Sequence, residues 1–153
     1  MQDNTILQKS INNLDWEKSI NEQEEAIQNV IQLFYQMNVD LYDLYKKIHK
    51  HSWENYCKIV EKIGYPQNHS AIPALFLLLQ DLNWPGSENA LLILSSIGKD
   101  ILITDIEKFI KEAFNSSDFM WLGGLKILTT RIGVISDDFN DKEIFKLLDF
   151  ADF

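Results

Sequence analysis

The feature that most constrains this chain is an Ile-Gly pair that ends three apolar runs at nearly equal spacing. The pairs stand at Ile63-Gly64, Ile97-Gly98 and Ile132-Gly133, so the glycines lie 34 and 35 residues apart. Glycine enters the left-handed backbone conformation that closes a helix at little cost, so a repeated closing glycine predicts a repeated helical unit. Repeats of this length are typical of stacked helical arrays.

Apolar residues recur at the same distances before each glycine, which supports the repeat. The positions eight, five and one residues before each glycine are apolar in all three copies: Tyr56, Ile59, Ile63; Ala90, Ile93, Ile97; and Leu125, Leu128, Ile132. Partner helices are predicted over residues 71–80 and 105–114, and Pro85-Gly86 breaks the chain between the two central helices. Each unit is therefore predicted to be a helix, a short turn and a second helix.

These patterns predict one all-α domain over residues 1–153, since a chain of this length is ordinarily a single domain. The expected architecture is a HEAT-like α-α superhelix of about nine helices stacked as antiparallel pairs. N-terminal helices are expected within residues 1–50, repeat-like pairs within 52–133, and a C-terminal helix over about 141–150. Whether the first 50 residues belong to the repeat is left open by the sequence.

Side chains with oxygen acceptors predict where several helices begin. A Ser, Thr or Asn followed three residues later by Glu can form a capping box, in which the two residues satisfy each other's backbone N–H groups. This pattern predicts N-caps at Asn21, Thr104 and Asn140. Ser70 is expected to cap the helix that carries Pro73 in its first turn.

Three features of the later helices predict close packing. The run 91–94 (Leu-Leu-Ile-Leu) is apolar on every side of its helix, which predicts that neighbours cover it all round. Gly123-Gly124 lies inside a predicted helix, where each glycine costs about 1 kcal/mol, so a kink or the close approach of another helix is expected. Trp121 continues the apolar stripe of the same helix and is predicted to be part of the core.

Charge and cysteine content narrow the classes of function and location. The chain has 23 acidic and 14 basic residues, and its net charge of −9 repels phosphate backbones and anionic membranes. Neither nucleic acid nor a membrane is therefore expected as a partner, whereas a basic protein surface is. The single cysteine, Cys57, excludes an internal disulfide, and the first residues lack a secretory signal pattern, so a cytoplasmic location is expected.

The most distinctive motif is Asp81-Leu-Asn83-Trp84-Pro85, and Leu14-Asp15-Trp16 is a partial echo of it. In one interpretation Trp84 anchors a protein partner beside two hydrogen-bonding side chains, since Trp is enriched among residues that dominate binding energy. In the interpretation that we favour, Asp81 and Asn83 satisfy backbone groups at a turn while Trp84 fills a gap between helix layers.

Residues 71–86 resemble a bacterial family, the domain of unknown function numbered 5071. The family hallmark is a Leu-Gln-Asp-x-Asn-Trp-Pro turn after an Ile-Pro-x-Leu helix start, which this chain shows at 79–85 and 72–75. The resemblance implies a helical fold without an assigned activity, and it transfers no catalytic residue. After Pro85, the residues Gly-Ser-Glu at 86–88 depart from the small apolar run expected of the family.

We predict no catalytic, cofactor or metal site. His49, His51 and Cys57 are metal-ligating residue types, but residues two apart on a helix point to different sides and no second cluster completes a tetrahedral set. Cys57 also lies on the apolar face of its predicted helix, where a thiol tends to be inert. Four acidic residues near the second helix are interpreted as a solvated face: Asp15, Glu22, Glu24 and Glu25.

The chain is therefore predicted to be a non-enzymatic protein-binding module, in its most specific form a bacterial immunity protein that neutralises a toxin. Acidic inhibitors suit basic nuclease toxins, because opposite electrostatic fields speed association. Two alternatives stay open: an enzyme on the HEAT-like scaffold, of the glycosylase or lyase type, and a structural homo-oligomer. A glycosylase should present a basic concave face, and the nearest approach to one is the short run 46–51. The oligomeric state is left undecided.

Overall fold

The computed structural model describes residues 2–152, and every regular element within them is helical. This part of the chain holds nine α-helices and no strand, which confirms the predicted all-α class. The helices are α1 (Gln2–Asn13), α2 (Ile20–Met37), α3 (Leu41–Lys46), α4 (Trp53–Ile63), α5 (Ile72–Leu77), α6 (Ser87–Ile97), α7 (Lys99–Asn115), α8 (Phe119–Arg131) and α9 (Lys142–Lys146). Short 3-10 helices lie at Lys50–Ser52, His69–Ala71, Leu78–Gln80, Ser136–Asp138 and Leu147–Phe150.

The chain divides into two compact units. The first consists of Met1–Ala74 with Trp84–Asn89, and the second of Leu75–Asn83 with Ala90–Phe153. Helices α1 to α4 belong to the first unit, and α7 to α9 belong to the second. The HEAT-like stacking of helix pairs stays a prediction. Across residues 2–152, no helix combines the length and the apolar character that crossing a membrane requires.

Each of the three periodic glycines stands at the end of a helix, as their spacing predicts. Gly64 follows α4 and Gly98 follows α6, with φ of 79° and 90° and ψ of 155° and 166°, a region that only glycine enters without strain. Gly133 follows α8 and donates its N–H to the carbonyl of Thr130, while the next N–H bonds to the carbonyl of Thr129. These two bonds form the Schellman arrangement that ends many helices.

The helix after Gly98 begins earlier than predicted, at Lys99 instead of residue 105. Gly98 donates its N–H to the carbonyl of Leu94, and its own carbonyl accepts from the N–H of Leu102. One glycine thus ends α6 and begins α7. Thr104 consequently lies inside α7, and the capping box predicted at residues 104–107 is wrong.

Two other predicted N-caps are displaced by neighbouring residues with the same chemistry. Ser19 caps α2, because its hydroxyl accepts from the N–H of Glu22 at 3.2 Å and donates to the Glu22 carboxylate at 3.0 Å. The N-cap of α2 therefore lies two residues before the one predicted at Asn21. Asp141 instead of Asn140 caps α9, with its carboxylate accepting from the N–H two residues on.

Ser70 serves a different helix from the one predicted. Its hydroxyl accepts from the N–H of Leu41 at 3.0 Å, so it satisfies a backbone group in the first turn of α3. The helix that carries Pro73 is preceded by a 3-10 turn at His69–Ala71, for which Asn68 provides no side-chain cap. Asn68 instead donates to the carbonyl of Val60 near the end of α4.

The core of the first unit forms where α3 and α4 meet the residue that follows α1. Tyr56 is fully buried, and its hydroxyl donates to the carbonyl of Leu41 at 2.6 Å. Burial raises the pKa of this phenol well above its usual value, so it stays a neutral donor. The other large side chains at the centre are fully or almost fully buried: Leu14, Leu41, Leu44 and Ile59.

Aromatic rings organise the core of the second unit. The rings of Phe76 and Phe109 stack at 4.8 Å, and Trp121 lies 5.8 Å from Phe109. Trp121 is 2% exposed and donates its indole N–H to the carbonyl of Phe76 at 3.0 Å, which confirms its predicted place in the core. Gly124 confirms the predicted close approach, since a Cβ at this position would overlap the carbonyl oxygen of Leu79.

Leu92 does not follow the prediction made for the apolar run at 91–94. Leu91, Ile93 and Leu94 are buried, whereas Leu92 is 55% exposed. The expectation that neighbours cover α6 on every side is therefore wrong. An apolar residue on every face of a helix does not require that every face is buried, because single exposed leucines are common on protein surfaces.

Asp105 on α7 is a partly buried carboxylate with no hydrogen bond or ion pair among residues 2–152. Burial raises its pKa, and the Coulomb attraction of Lys108 opposes this with a smaller effect. The folded protein therefore keeps this proton to a higher pH than the unfolded chain, whose Asp pKa is about 3.9. As the pH rises from the unfolded pKa of Asp105 through its higher folded pKa, the free energy of unfolding therefore falls.

We predict that Asp105→Asn raises the free energy of unfolding at neutral pH, because the amide removes a carboxylate that is ionised in a desolvated position. The gain should shrink towards about pH 4, where the wild-type carboxyl is increasingly protonated in the folded state. Urea unfolding of both proteins at the two pH values measures this. A gain of equal size at both would contradict the assigned cause.

Candidate functional site

The predicted motif at residues 81–85 forms a turn stabilised by its own side chain. The Asp81 carboxylate accepts from the N–H of Asn83 at 2.8 Å, while the Asn83 side chain is exposed. Trp84 is only partly exposed, and its ring lies 5.2 Å from that of Trp53. Pro85 is also partly exposed and precedes the start of α6. The geometry of Asp81 agrees with the structural interpretation of the motif.

Close packing around Trp53 extends to the glycine that follows the motif. A Cβ at Gly86 would lie 2.9 Å from the carbonyl oxygen of Trp53, so this position has no room for a side chain. The Cys57 thiol donates to the carbonyl of Gly86 at 3.4 Å. Burial, together with the nearby Glu54 and Glu61 carboxylates, raises the pKa of Cys57 to about 12, and a thiol held in this way is a poor nucleophile.

The partial echo of the motif, Leu14-Asp15-Trp16, presents a tryptophan to solvent. It lies in the segment 14–19 between α1 and α2, which we call the Trp16 turn. Trp16 is 46% exposed, and its ring stacks on the imidazole of His51 at 4.5 Å and 16°. The backbone N–H of Trp16 donates to the backbone carbonyl of His51 at 3.1 Å. The ring is therefore exposed and also held in one orientation.

Two buried or half-buried amides fix the backbone of the Trp16 turn. Asn55 is 5% exposed and donates through Nδ2 to the carbonyl of Leu14 at 2.7 Å and to the Gln23 side chain at 2.8 Å. Gln23 in turn donates to the carbonyls of Trp16 at 3.2 Å and Lys18 at 2.7 Å. The turn thus has satisfied carbonyls along its length, which favours a single backbone conformation.

Acidic residues and a second exposed apolar side chain lie in the Trp16 turn and at the start of α2. Asp15 accepts from the N–H of Glu17 at 2.8 Å, and Ile20 at the start of α2 is 72% exposed. The neighbouring carboxylates are exposed at Glu17, Glu22, Glu24 and Glu25. The Trp16 turn and the first turns of α2 therefore present a large apolar side chain stacked on His51, a second apolar side chain at Ile20, and several exposed carboxylates beside the exposed Lys18.

One group of metal-ligating side chains occurs among residues 2–152, and it lies in this turn. The ligand atoms of Asp15, Glu17 and His51 lie within 4.8 Å of one another. Their proximity follows from the bond between Asp15 and the Glu17 N–H and from the stacking of His51 on Trp16. His51 does not join His49 or Cys57 in this group.

Comparison of this chain with known proteins identified no relative. No family model matches the chain, and neither the curated proteins nor the solved structures contain a match. The resemblance of residues 71–86 to the family numbered 5071 stays a prediction. In the sequence, the Trp16 turn is marked only by its partial likeness to the 81–85 motif. That likeness does not predict whether Trp16 or Trp84 is the more exposed.

Proposed function

We propose that this chain is a non-enzymatic protein-binding module that uses the Trp16 turn to contact a basic protein. The observation that carries the proposal is an indole ring that is 46% exposed and yet fixed by stacking on His51. Exposed apolar side chains held in one conformation lose little entropy on binding, and Trp is the residue type most enriched among binding hot spots.

Charge supports a basic partner over a neutral one. The chain has a net charge of −9, and exposed carboxylates follow Trp16 closely along the chain at Glu17, Glu22, Glu24 and Glu25. Such a surface speeds encounter with a positive surface and disfavours acidic competitors. A central apolar anchor with a charged rim is the usual arrangement of residues in a protein interface.

In its most specific form, the proposal is a bacterial immunity protein that binds a basic toxin. The support is the acidity of the chain and the anchored tryptophan. Co-expression with toxins encoded beside the gene tests it. Protection of the host together with a co-purifying complex is expected. If none of these toxins gave either protection or a complex, the immunity role would be ruled out.

A further inference from the structure

A groove lies between α1 and α2, next to the Trp16 turn. Its volume is about 370 Å³, which falls at the lower end of the range of small-ligand pockets. The residues that line it include Asn13, which directly precedes the Trp16 turn, and Glu22, which bonds to the last residue of that turn. We call it the α1–α2 groove.

One wall of the groove carries a largely buried serine. Ser10 lines it and is 3% exposed, yet its side chain makes no hydrogen bond among residues 2–152. Other serines on helices of this chain, such as Ser95, donate to a carbonyl one turn back at 2.6 Å. The enclosed side-chain polar atom without a partner among residues 2–152 is Asn68 Oδ1, so the Ser10 hydroxyl still reaches the groove and can bond to water or to a ligand there.

The other polar groups of the groove are also available. Asn13 and Asn29 line it with amides that have no hydrogen-bond partner in the described chain, and Glu25 enters no ion pair there. Glu22 uses one carboxylate oxygen to accept from Ser19. The last turn of α1, whose carbonyl end carries partial negative charge, has no basic residue.

These groups fit a cation better than an anion. Two carboxylates, Glu22 and Glu25, face a single ammonium, Lys9, whose long side chain can extend into solvent. A guanidinium offers five N–H donors in a plane and pairs with carboxylates through two parallel bonds. Ile6 and Ala26 also line the groove and can pack against an apolar side-chain stem.

We infer that the α1–α2 groove binds an arginine side chain of the partner while Trp16 contacts the adjoining surface. This inference rests on the proposed function, since it names the chemical group by which the basic partner is recognised. The Ser10 hydroxyl and the two asparagine amides accept from the guanidinium, and Glu25 neutralises its charge.

The direct test is an NMR titration with N-acetyl-arginine amide, with N-acetyl-citrulline amide as the uncharged control of the same shape. The arginine probe should shift the backbone resonance of Ser10 and the side-chain amides of Asn13 and Asn29. The citrulline probe should bind at least about tenfold more weakly, because hydrogen bonds to a charged group are the stronger kind. Equal binding of the two probes, or stronger binding of N-acetyl-glutamate amide, would overturn the inference.

Two variants separate binding from folding. Glu25→Gln should weaken the arginine probe about tenfold. Ser10→Ala should weaken it as well while leaving the urea midpoint unchanged or higher, because the hydroxyl has no partner to lose. Full probe affinity in both variants would overturn the inference. A lower urea midpoint for Ser10→Ala would show that the hydroxyl stabilises the fold, which would contradict its assignment to a ligand.

Failure of the inference can be told apart from failure of the proposed function. If the wild-type protein binds a basic partner and both groove variants keep full affinity for it, the groove has no part in recognition and the proposed function stands. If the arginine probe binds in the groove but no basic protein is captured, the proposed function fails and the groove is a site for a small cation.

Discussion

Gly124→Ala is expected to lower the free energy of unfolding by about 3 kcal/mol, in the upper part of the range for overpacked cores. The new methyl group would overlap the carbonyl oxygen of Leu79, which is backbone and cannot rotate away. Helix propensity alone predicts the opposite sign, since alanine is better than glycine inside a helix by about 1 kcal/mol. Urea unfolding followed by circular dichroism measures the change.

Lys126→Ala is the matched control, because Lys126 lies on the same helix and is exposed. It should change the free energy of unfolding by less than about 0.5 kcal/mol, as most surface substitutions do. If Gly124→Ala were neutral or stabilising, the packing of α8 against Leu79 would be looser than the structure has it.

Trp16→Ala is expected to weaken partner binding by about 30-fold or more, which corresponds to about 2 kcal/mol, the threshold of a hot spot. The stability of the folded chain should change much less, because the ring is 46% exposed and contacts the half-exposed His51. Calorimetric titration with the captured partner gives the affinity, and the urea midpoint gives the stability.

Tyr35→Ala is the control for Trp16. Tyr35 is an aromatic residue on α2 that is 61% exposed, but it lies at the other end of the helix from the acidic residues. Its loss should leave the affinity unchanged. If both variants bound equally well, the contact surface would lie away from the Trp16 turn.

The C-terminal ends of α4, α6 and α8 were predictable from the sequence because they depend on local backbone conformation. Gly64, Gly98 and Gly133 all have positive φ, and the cost of that conformation for other residues is a property of the single residue. The buried position of Trp121 also followed from helical spacing, and the close approach at Gly124 followed from the cost of glycine inside a helix. These features need no knowledge of distant parts of the chain.

The displaced caps show the limit of such local signals. Asn21 and Ser19 both begin a capping-box pattern, and the pattern does not tell which of them the chain uses. Thr104 matches the same pattern inside α7, a helix that has already begun after Gly98. When two residues of similar chemistry compete, the tertiary fold decides between them.

The candidate site could not be derived from the sequence, because its geometry depends on contacts between distant residues. Trp16 is held by His51, and the turn that carries it is held by Asn55, which lies 41 residues from its acceptor Leu14. The two Trp motifs are alike in sequence, yet Trp84 packs on Trp53 whereas Trp16 is exposed. The groove that Ser10 lines likewise becomes evident only when α1 and α2 are placed side by side.

The central claim is that an anchored tryptophan in an acidic surface binds a basic protein. Affinity capture from the native host, with wild-type protein and Trp16→Ala run in parallel at low and high salt, tests it most directly. The account predicts that mass spectrometry identifies a basic protein that the wild type retains at low salt, that salt releases, and that Trp16→Ala does not retain. Capture of no basic protein, or its equal retention by both proteins, would contradict the account.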